Sequence, residues 1–220
     1  MYFLIDSTKL EDIEQAMSLG FVNGVTSNTR EMAFHATDDY KSYLKKMRKI
    51  ARGTIHVQVT TTETEKMVAE GEAISKLIED VRIKIPVTVT GLKATRILTD
   101  KGVEVAATAV NSVTMAVLAA QSGAKSVIPY YGGLQQFEAD STDLLLNIMN
   151  AFEDYNFQTE MIFFARDVRD VREGIRAGAT GCLMLLEGLK SLVDEPFANR
   201  EVDFMIETWR KRFGDKTWAS

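Results

Sequence analysis

One lysine lies in the middle of an apolar stretch of the sequence, VRIKIPVT at residues 81–88. Its neighbours Ile83 and Ile85 belong to a run of β-branched residues that predicts a β-strand. Burial disfavours a charged ammonium, so Lys84 is expected to have a lowered pKa if this strand is internal. A neutral amine is a nucleophile that can form a Schiff base with a carbonyl compound. The alternative is a structural lysine on an edge strand, whose ammonium reaches water.

The rest of the chain alternates between strand patterns and helix patterns. Strand patterns cover residues 2–6, 22–28, 54–60, 81–88, 103–110, 126–131, 160–165 and 181–186. Helix patterns cover residues 9–18, 37–52, 61–79, 90–101, 112–121, 141–154, 168–177 and 201–213. Because no linker or low-complexity segment divides these repeats, they predict a single (β/α)₈ TIM barrel over residues 1–220. A doubly wound open sheet is the alternative, but no G-x-G-x-x-G or Walker A sequence follows a strand pattern.

The strand patterns are apolar at odd positions and polar at even positions. The apolar set is Phe3, Ile5, Ile55, Val57, Val59, Ile83, Ile85, Val87, Val103 and Val105. Side chains alternate between the two faces of a strand, so we expect the apolar set to pack under the helices and the polar set to point into the barrel. The polar residues near the strand ends are Asp6, Gln58, Lys84, Thr108 and Tyr130. Their convergence at the carboxyl ends of the strands indicates an active site and favours a functional Lys84.

This polar set can carry out covalent carbonyl chemistry. Lys84 would attack a ketone, lose water and form an iminium that accepts electrons when a neighbouring carbon–carbon bond breaks. Tyr130 with Gln58 and Thr108 could hold a water or a phenol for the proton transfers. Asp6 and Asn28 could orient the hydroxyl groups of a polyol.

Each of these residues also has a purely structural interpretation. Thr108 is equally typical of an ordinary strand threonine. Gln58 and Tyr130 could be hydrogen-bonded residues of the barrel interior, and Asp6 could be only a salt-bridge partner for Lys84.

Composition excludes several other classes of function. The formal net charge is -5, so no general basic surface suggests nucleic acid as the main partner. A single cysteine and two histidines argue against a disulfide framework and against a cysteine-based or histidine-rich metal site, and we expect no metal and no cofactor. The first residues have no basic segment followed by an apolar run, and no stretch is apolar enough to span a membrane. We therefore expect a cytoplasmic protein.

The chain resembles the transaldolase family, and within it the group of short chains that includes the fructose-6-phosphate aldolases. The matching segments are LID with Asp6, GVTSN with Thr26 and Asn28, VQV with Gln58, IKIPVT with Lys84, ATAV with Thr108, and IPYY with Tyr130. They occur in the family's order, and the resemblance extends from residue 3 to about residue 213.

The resemblance implies a (β/α)₈ barrel of the class I aldolase type, with Lys84 as the Schiff-base lysine. It places Asp6 and Asn28 on the hydroxyl groups of dihydroxyacetone, and the residues Gln58, Thr108 and Tyr130 around a catalytic water. Transaldolases usually have a glutamate at the position of Gln58 and a phenylalanine at that of Tyr130. A phenol can protonate the carbanion-like intermediate and release free dihydroxyacetone, so this pair favours an aldolase.

Some positions depart from the family pattern. Asn28 lacks the proline that usually follows it, and Gly132-Gly133 replace an arginine expected after Tyr130. Ala165 stands where a serine is expected at the end of the seventh strand. In the family this serine and this arginine help to bind the substrate phosphate. Arg166 or Arg169, near the start of the next helix, could replace them as anion-binding residues, and an unphosphorylated aldehyde is the other possibility.

Three functions follow, in this order. The first is a lyase that cleaves a ketose phosphate, such as fructose 6-phosphate, into dihydroxyacetone and glyceraldehyde 3-phosphate. The second is a transaldolase of the pentose phosphate pathway, which transfers the dihydroxyacetone unit between sugar phosphates. The third is a sugar-phosphate-binding protein of weak activity.

The C-terminal helix, predicted at residues 201–214, has more apolar residues than a surface helix needs. It either packs on its own barrel or, as the resemblance implies, on a neighbouring subunit of a homo-oligomer built from pentamers and decamers.

Overall fold

Eight parallel strands close into a barrel in the computed structural model, which describes residues 1–129 and 141–219, with the backbone alone at 141 and 142. The strands are β1 (Tyr2–Asp6), β2 (Val22–Thr26), β3 (Ile55–Gln58), β4 (Val81–Pro86), β5 (Val105–Val110), β6 (Ser126–Pro129), β7 (Glu160–Phe164) and β8 (Gly181–Met184). Each strand pairs with the next in the chain, and β8 pairs with β1. The predicted TIM barrel is confirmed, and the open sheet is not formed.

Helices connect the strands on the outside of the barrel. In the described ranges they are α1 (Leu10–Ser18), α2 (Thr29–His35), α3 (Tyr40–Ile50), α4 (Thr64–Leu77), α5 (Val89–Asp100), α6 (Val113–Gln121), α7 (Ser141–Asp154), α8 (Val168–Arg176), α9 (Leu186–Ser191) and α10 (Pro196–Phe213). None of them in the described parts of the chain is long and apolar enough to cross a membrane.

The prediction of one helix over residues 37–52 is wrong in its first part, because two helices lie between β2 and β3. Asn28 caps α2 by accepting a hydrogen bond from Glu31 N, and Asp39 caps α3 by accepting one from Ser42 N. Two capping residues so close together end one helix and begin another. The C-terminal helix starts at Pro196 rather than Glu201, because Glu195 caps it and proline suits a first helical position.

The two faces of the strands separate as the alternation predicts. Among the apolar set, Ile5, Ile55, Val57, Val59, Ile83, Ile85 and Val105 are buried against the helices. A separate apolar cluster fills the barrel interior and comprises Leu4, Ala106, Ile128, Ile162 and Leu183. The even positions therefore supply both the interior packing and the polar side chains.

A network of charges closes the amino end of the barrel interior. Arg82 Nη1 and Nη2 donate to the two carboxylate oxygens of Glu160 at 2.6 and 3.1 Å, and Arg82 Nε donates to Glu104 at 2.9 Å. Tyr2 Oη donates to Glu160 at 2.6 Å. Because this end is filled, a substrate reaches the interior from the carboxyl ends of the strands.

Candidate active site

Lys84 is buried inside the barrel, with 7% of its surface exposed. Its Nζ crosses in front of β3 and donates to Thr26 Oγ1 at 3.4 Å and to the Ser27 carbonyl at 3.2 Å. A neutral amine has two N–H groups and one lone pair. Both N–H groups then have an acceptor, and the lone pair stays available for attack on a carbonyl carbon.

The surroundings of Lys84 favour this neutral form. Burial lowers the pKa of the Lys84 amine, and the charge of the Asp6 carboxylate opposes that shift. Burial also raises the pKa of Asp6, which Lys84 in turn lowers. Asp6 Oδ1 has no hydrogen-bond partner among the described residues, and Lys84 Nζ donates to Thr26 and Ser27 instead. Asp6 therefore influences the amine through its charge across a short gap.

Gln58 and Thr108 lie at the carboxyl ends of the strands on either side of β4. Gln58 pairs with Lys84 in the β3–β4 register, and Thr108 pairs with Pro86 in the β4–β5 register. Both side chains are half-buried. Tyr130, the third residue expected around the catalytic water, lies outside the described residues.

The backbone is irregular beside Thr108. The register between β5 and β6 shifts between Ala107 and Val110, and Ala109 has a φ of 59°. A non-glycine residue in this left-handed region is costly and is typical of β-bulges near functional sites. Nothing in the sequence ATAV signals this bulge, because alanine has no preference for positive φ.

The residues after β2 have different environments. Thr26 is fully buried beside the amine of Lys84. Asn28 is half-buried, and its Oδ1 accepts from Glu31 N at 2.9 Å as the cap of α2. This hydrogen bond fixes the side-chain orientation of Asn28, whose amide nitrogen has no protein partner among the described residues. That nitrogen can donate to a substrate hydroxyl.

The residues after β7 make ion pairs with each other. Ala165 is buried, and Arg166 donates through Nε and Nη2 to Asp170 at 2.7 and 3.0 Å. Arg169 donates to Asp167 at 2.8 Å and lowers the pKa of that carboxyl to about 2. Asp167 also caps α8 by accepting from Arg169 N and Asp170 N. The two candidate phosphate-binding arginines are therefore paired with carboxylates, and an anion at this helix would compete with them.

Sequence reasoning did not identify two residues at this site. The carbonyl of Ser27 accepts from Lys84, and the Ser27 hydroxyl donates to the carbonyl of His56 at 2.7 Å. The alternation places His56 on the interior face but did not indicate its position beside Thr26 in the β2–β3 register. A backbone acceptor has no sequence signal, and strand register depends on partners far along the chain.

The chain also matches known proteins over most of its length. Residues 3–182 match the family model described as transaldolase/fructose-6-phosphate aldolase. A probable transaldolase of Chlorobium phaeobacteroides is 34% identical over 215 residues, covering 94% of this chain and 95% of the relative. A probable transaldolase of Rhizobium meliloti is 32% identical over 212 residues, covering 96% of this chain and 97% of the relative. One of Prosthecochloris aestuarii is 35% identical over 215 residues, covering 94% and 96%. The chain belongs to the transaldolase/fructose-6-phosphate aldolase family.

Proposed function

We propose that this protein is a class I aldolase in which Lys84 forms a Schiff base with the keto group of a ketose phosphate. The observation that carries this proposal is the amine of Lys84, which is buried and has acceptors for the two N–H groups of its neutral form. A buried lysine with a lowered pKa, at the open end of a TIM barrel, is suited to nucleophilic attack on a carbonyl.

The reaction begins when the lone pair of Lys84 attacks the ketone carbon. The carbinolamine loses water, and the resulting iminium accepts the electron pair of the adjacent carbon–carbon bond as that bond breaks. Asp6 and the amide of Asn28 orient the hydroxyl groups of the dihydroxyacetone unit. Gln58, Thr108 and Tyr130 hold the water that moves the protons.

For the substrate we propose fructose 6-phosphate, cleaved to dihydroxyacetone and glyceraldehyde 3-phosphate. The pair Gln58 and Tyr130 supports release of free dihydroxyacetone. Arg166 lies at the rim of the barrel beside buried Ala165 and is the proposed contact for the phosphate, which would compete with Asp170 for the guanidinium.

A transaldolase is the second candidate, because the relatives named above are called probable transaldolases. Such an enzyme would keep the dihydroxyacetone unit on Lys84 until a second aldehyde accepts it. A cytoplasmic location stays a prediction from the sequence.

One experiment tests both candidates. Fructose 6-phosphate is incubated with the protein without an acceptor aldehyde, free dihydroxyacetone is measured, and the sample is reduced with borohydride and mapped by peptide mass spectrometry. We expect a reduced adduct on the peptide that contains Lys84 and continuous accumulation of dihydroxyacetone. The adduct with no more than one equivalent of dihydroxyacetone would indicate the transaldolase. A folded protein that gives no adduct on Lys84 would rule out both.

The C-terminal helix supports a further proposal, that the protein is a homo-oligomer. No residue of α10 is buried, and its large apolar side chains include Phe197, Phe204 and Ile206, exposed by 62%, 66% and 48%. Contiguous exposed apolar surface of this kind marks interaction sites. We propose that α10 packs on a neighbouring subunit in a ring, with pentamers stacked into decamers.

The mass of the assembly tests this proposal. We expect the native protein to sediment as a decamer or pentamer, and the double variant Phe204→Glu and Ile206→Glu to sediment at a lower mass, because charges on a buried interface are costly. Asp203→Lys, which changes the charge of the same helix but keeps its apolar side chains, is the control. A native protein that sediments as a monomer would contradict the oligomer.

A further inference from the structure

The barrel interior contains buried polar atoms without a protein partner. Among the described residues these side-chain atoms are Asp6 Oδ1, both ring nitrogens of His56, and Ser126 Oγ. His56 and Ser126 are completely buried. Leaving a buried polar group unpaired costs about 1–3 kcal/mol, so an apolar side chain at position 56 would give a more stable barrel. An imidazole there needs another explanation.

Strand register places His56 close to the reactive amine. Asp6 pairs with Thr26 across β1 and β2, and Thr26 pairs with His56 across β2 and β3. Adjacent strands are about 4.8 Å apart. The amine of Lys84 contacts Thr26 Oγ1, the side chain of the middle residue. Asp6 and His56 therefore flank the amine, each about one strand spacing away.

The interior has both the polar partners and the small side chain that a water site needs. Ala106, a small residue, is register-paired with Lys84 and shares the interior cluster with Leu4 and Ile162. An internal water usually makes two to four hydrogen bonds. Asp6 Oδ1, a ring nitrogen of His56 and the amine of Lys84 provide three.

We propose that the barrel binds an internal water molecule beside Lys84 Nζ, between Asp6 and His56, and that His56 is a positioning residue that orients this water. The functional part of this inference rests on the proposed Schiff-base chemistry. The water would prepare Lys84 for attack by removing the proton of its ammonium form.

The proton transfer balances without any other reactant. The ammonium of Lys84 has a third N–H besides the two that Thr26 and Ser27 accept, and this N–H donates to the water. The water oxygen takes that proton while one of its own protons moves to Asp6 Oδ1. The products are a neutral amine, a neutral carboxylic acid and water, and His56 accepts the other O–H of the water throughout.

The environment of His56 suits an acceptor role. Burial lowers the pKa of the imidazole well below 6.5, and the nearby charges of Arg82 and Lys84 lower it further. A neutral imidazole has one nitrogen that accepts a hydrogen bond. The ring therefore keeps a fixed acceptor beside the amine.

The test compares three variants by two measurements. Crystal structures show whether a water lies between Asp6, His56 and Lys84, and borohydride trapping at short times gives the rate at which dihydroxyacetone forms an adduct on Lys84. His56→Phe removes both nitrogens and keeps a ring, whereas His56→Gln keeps a donor and an acceptor. Ser126→Ala is the matched control, because it also removes a completely buried atom without a partner but lies on β6, three strands from β3.

We expect the water in the native protein and in His56→Gln, and its loss in His56→Phe together with an adduct rate about 10- to 100-fold lower. Thermal unfolding of His56→Phe should be at least as high in temperature as that of the native protein. Ser126→Ala should keep the native adduct rate. If His56→Phe does not fold, the electron density of the native protein decides the water site alone.

Two results would overturn the inference: a native crystal structure with no water at this position, or His56→Phe with the native adduct rate. A native protein that forms no adduct at all would instead refute the Schiff-base function, and the crystal structure would still decide whether the water is bound.

Discussion

Lys84→Met is expected to abolish ketose cleavage and, at the same time, to stabilise the barrel. Methionine has a similar length but no nucleophile, so the rate should fall on the order of 10⁴-fold or more. Burial lowers the pKa of Lys84, which means that the folded protein pays a cost to hold this amine. Removing it should raise the free energy of unfolding by about 1–3 kcal/mol at neutral pH. Dihydroxyacetone release and urea unfolding measure the two effects.

The pH dependence of stability gives an independent check on the same variant. Because the pKa of Lys84 is lowered in the folded state, the unfolded chain binds more protons between that lowered pKa and the ordinary value of about 10.4. The contribution of Lys84 to the free energy of unfolding therefore rises with pH across this window. Lys84→Met should lack this rise.

Lys93→Met is the matched control, because Lys93 is an exposed lysine of the helix α5 that follows the same strand. It should keep both the activity and the native pH dependence. Loss of activity accompanied by a large loss of stability in Lys84→Met would contradict a catalytic lysine and would indicate a structural one.

Arg82→Met is expected to destabilise the barrel by about 3–5 kcal/mol. The side chain of Arg82 is only 10% exposed and pairs with Glu104 and Glu160, and Glu160 is itself 19% exposed. Replacing Arg82 would leave the carboxylate of Glu160 half-buried without its guanidinium partner. Only Tyr2 and Lys125 would remain near it. Urea unfolding of the native protein and the variant measures the difference.

An exposed ion pair provides the comparison for Arg82→Met. Arg176 donates to Glu173 at 2.7 Å on α8, and its side chain is 67% exposed. Because water screens such a pair, Arg176→Met should change the free energy of unfolding by no more than about 1 kcal/mol. Equal effects of the two variants would mean that the network at the amino end of the barrel does not stabilise the fold.

Local patterns in the sequence were sufficient for the architecture and for the central residue. The regular alternation of strand and helix patterns predicted the barrel, since each unit carries its own periodicity and turn residues. The alternation within strands separated the apolar face under the helices from the interior face with Asp6 and Lys84. A lysine between two isoleucines was recognisable because its burial is costly wherever the strand lies.

Helix boundaries were less predictable, for a local reason. Between β2 and β3, Asn28 and Asp39 each cap a helix, and the extended backbone of Ala36 separates α2 from α3. A capping side chain and an ordinary loop residue have the same appearance in a sequence, since both are polar and follow an apolar run.

Only the tertiary structure decided how the site works. The hydrogen bond from Lys84 to the Ser27 carbonyl crosses a strand and joins residues 57 positions apart. The closeness of Asp6, Thr26 and His56 depends on the register of three strands. The ion pair of Arg166 with Asp170 depends on how α8 begins after β7. Periodicity is a property of one segment and can be seen in the sequence, but register and the direction of a long side chain result from packing among segments distant in the chain.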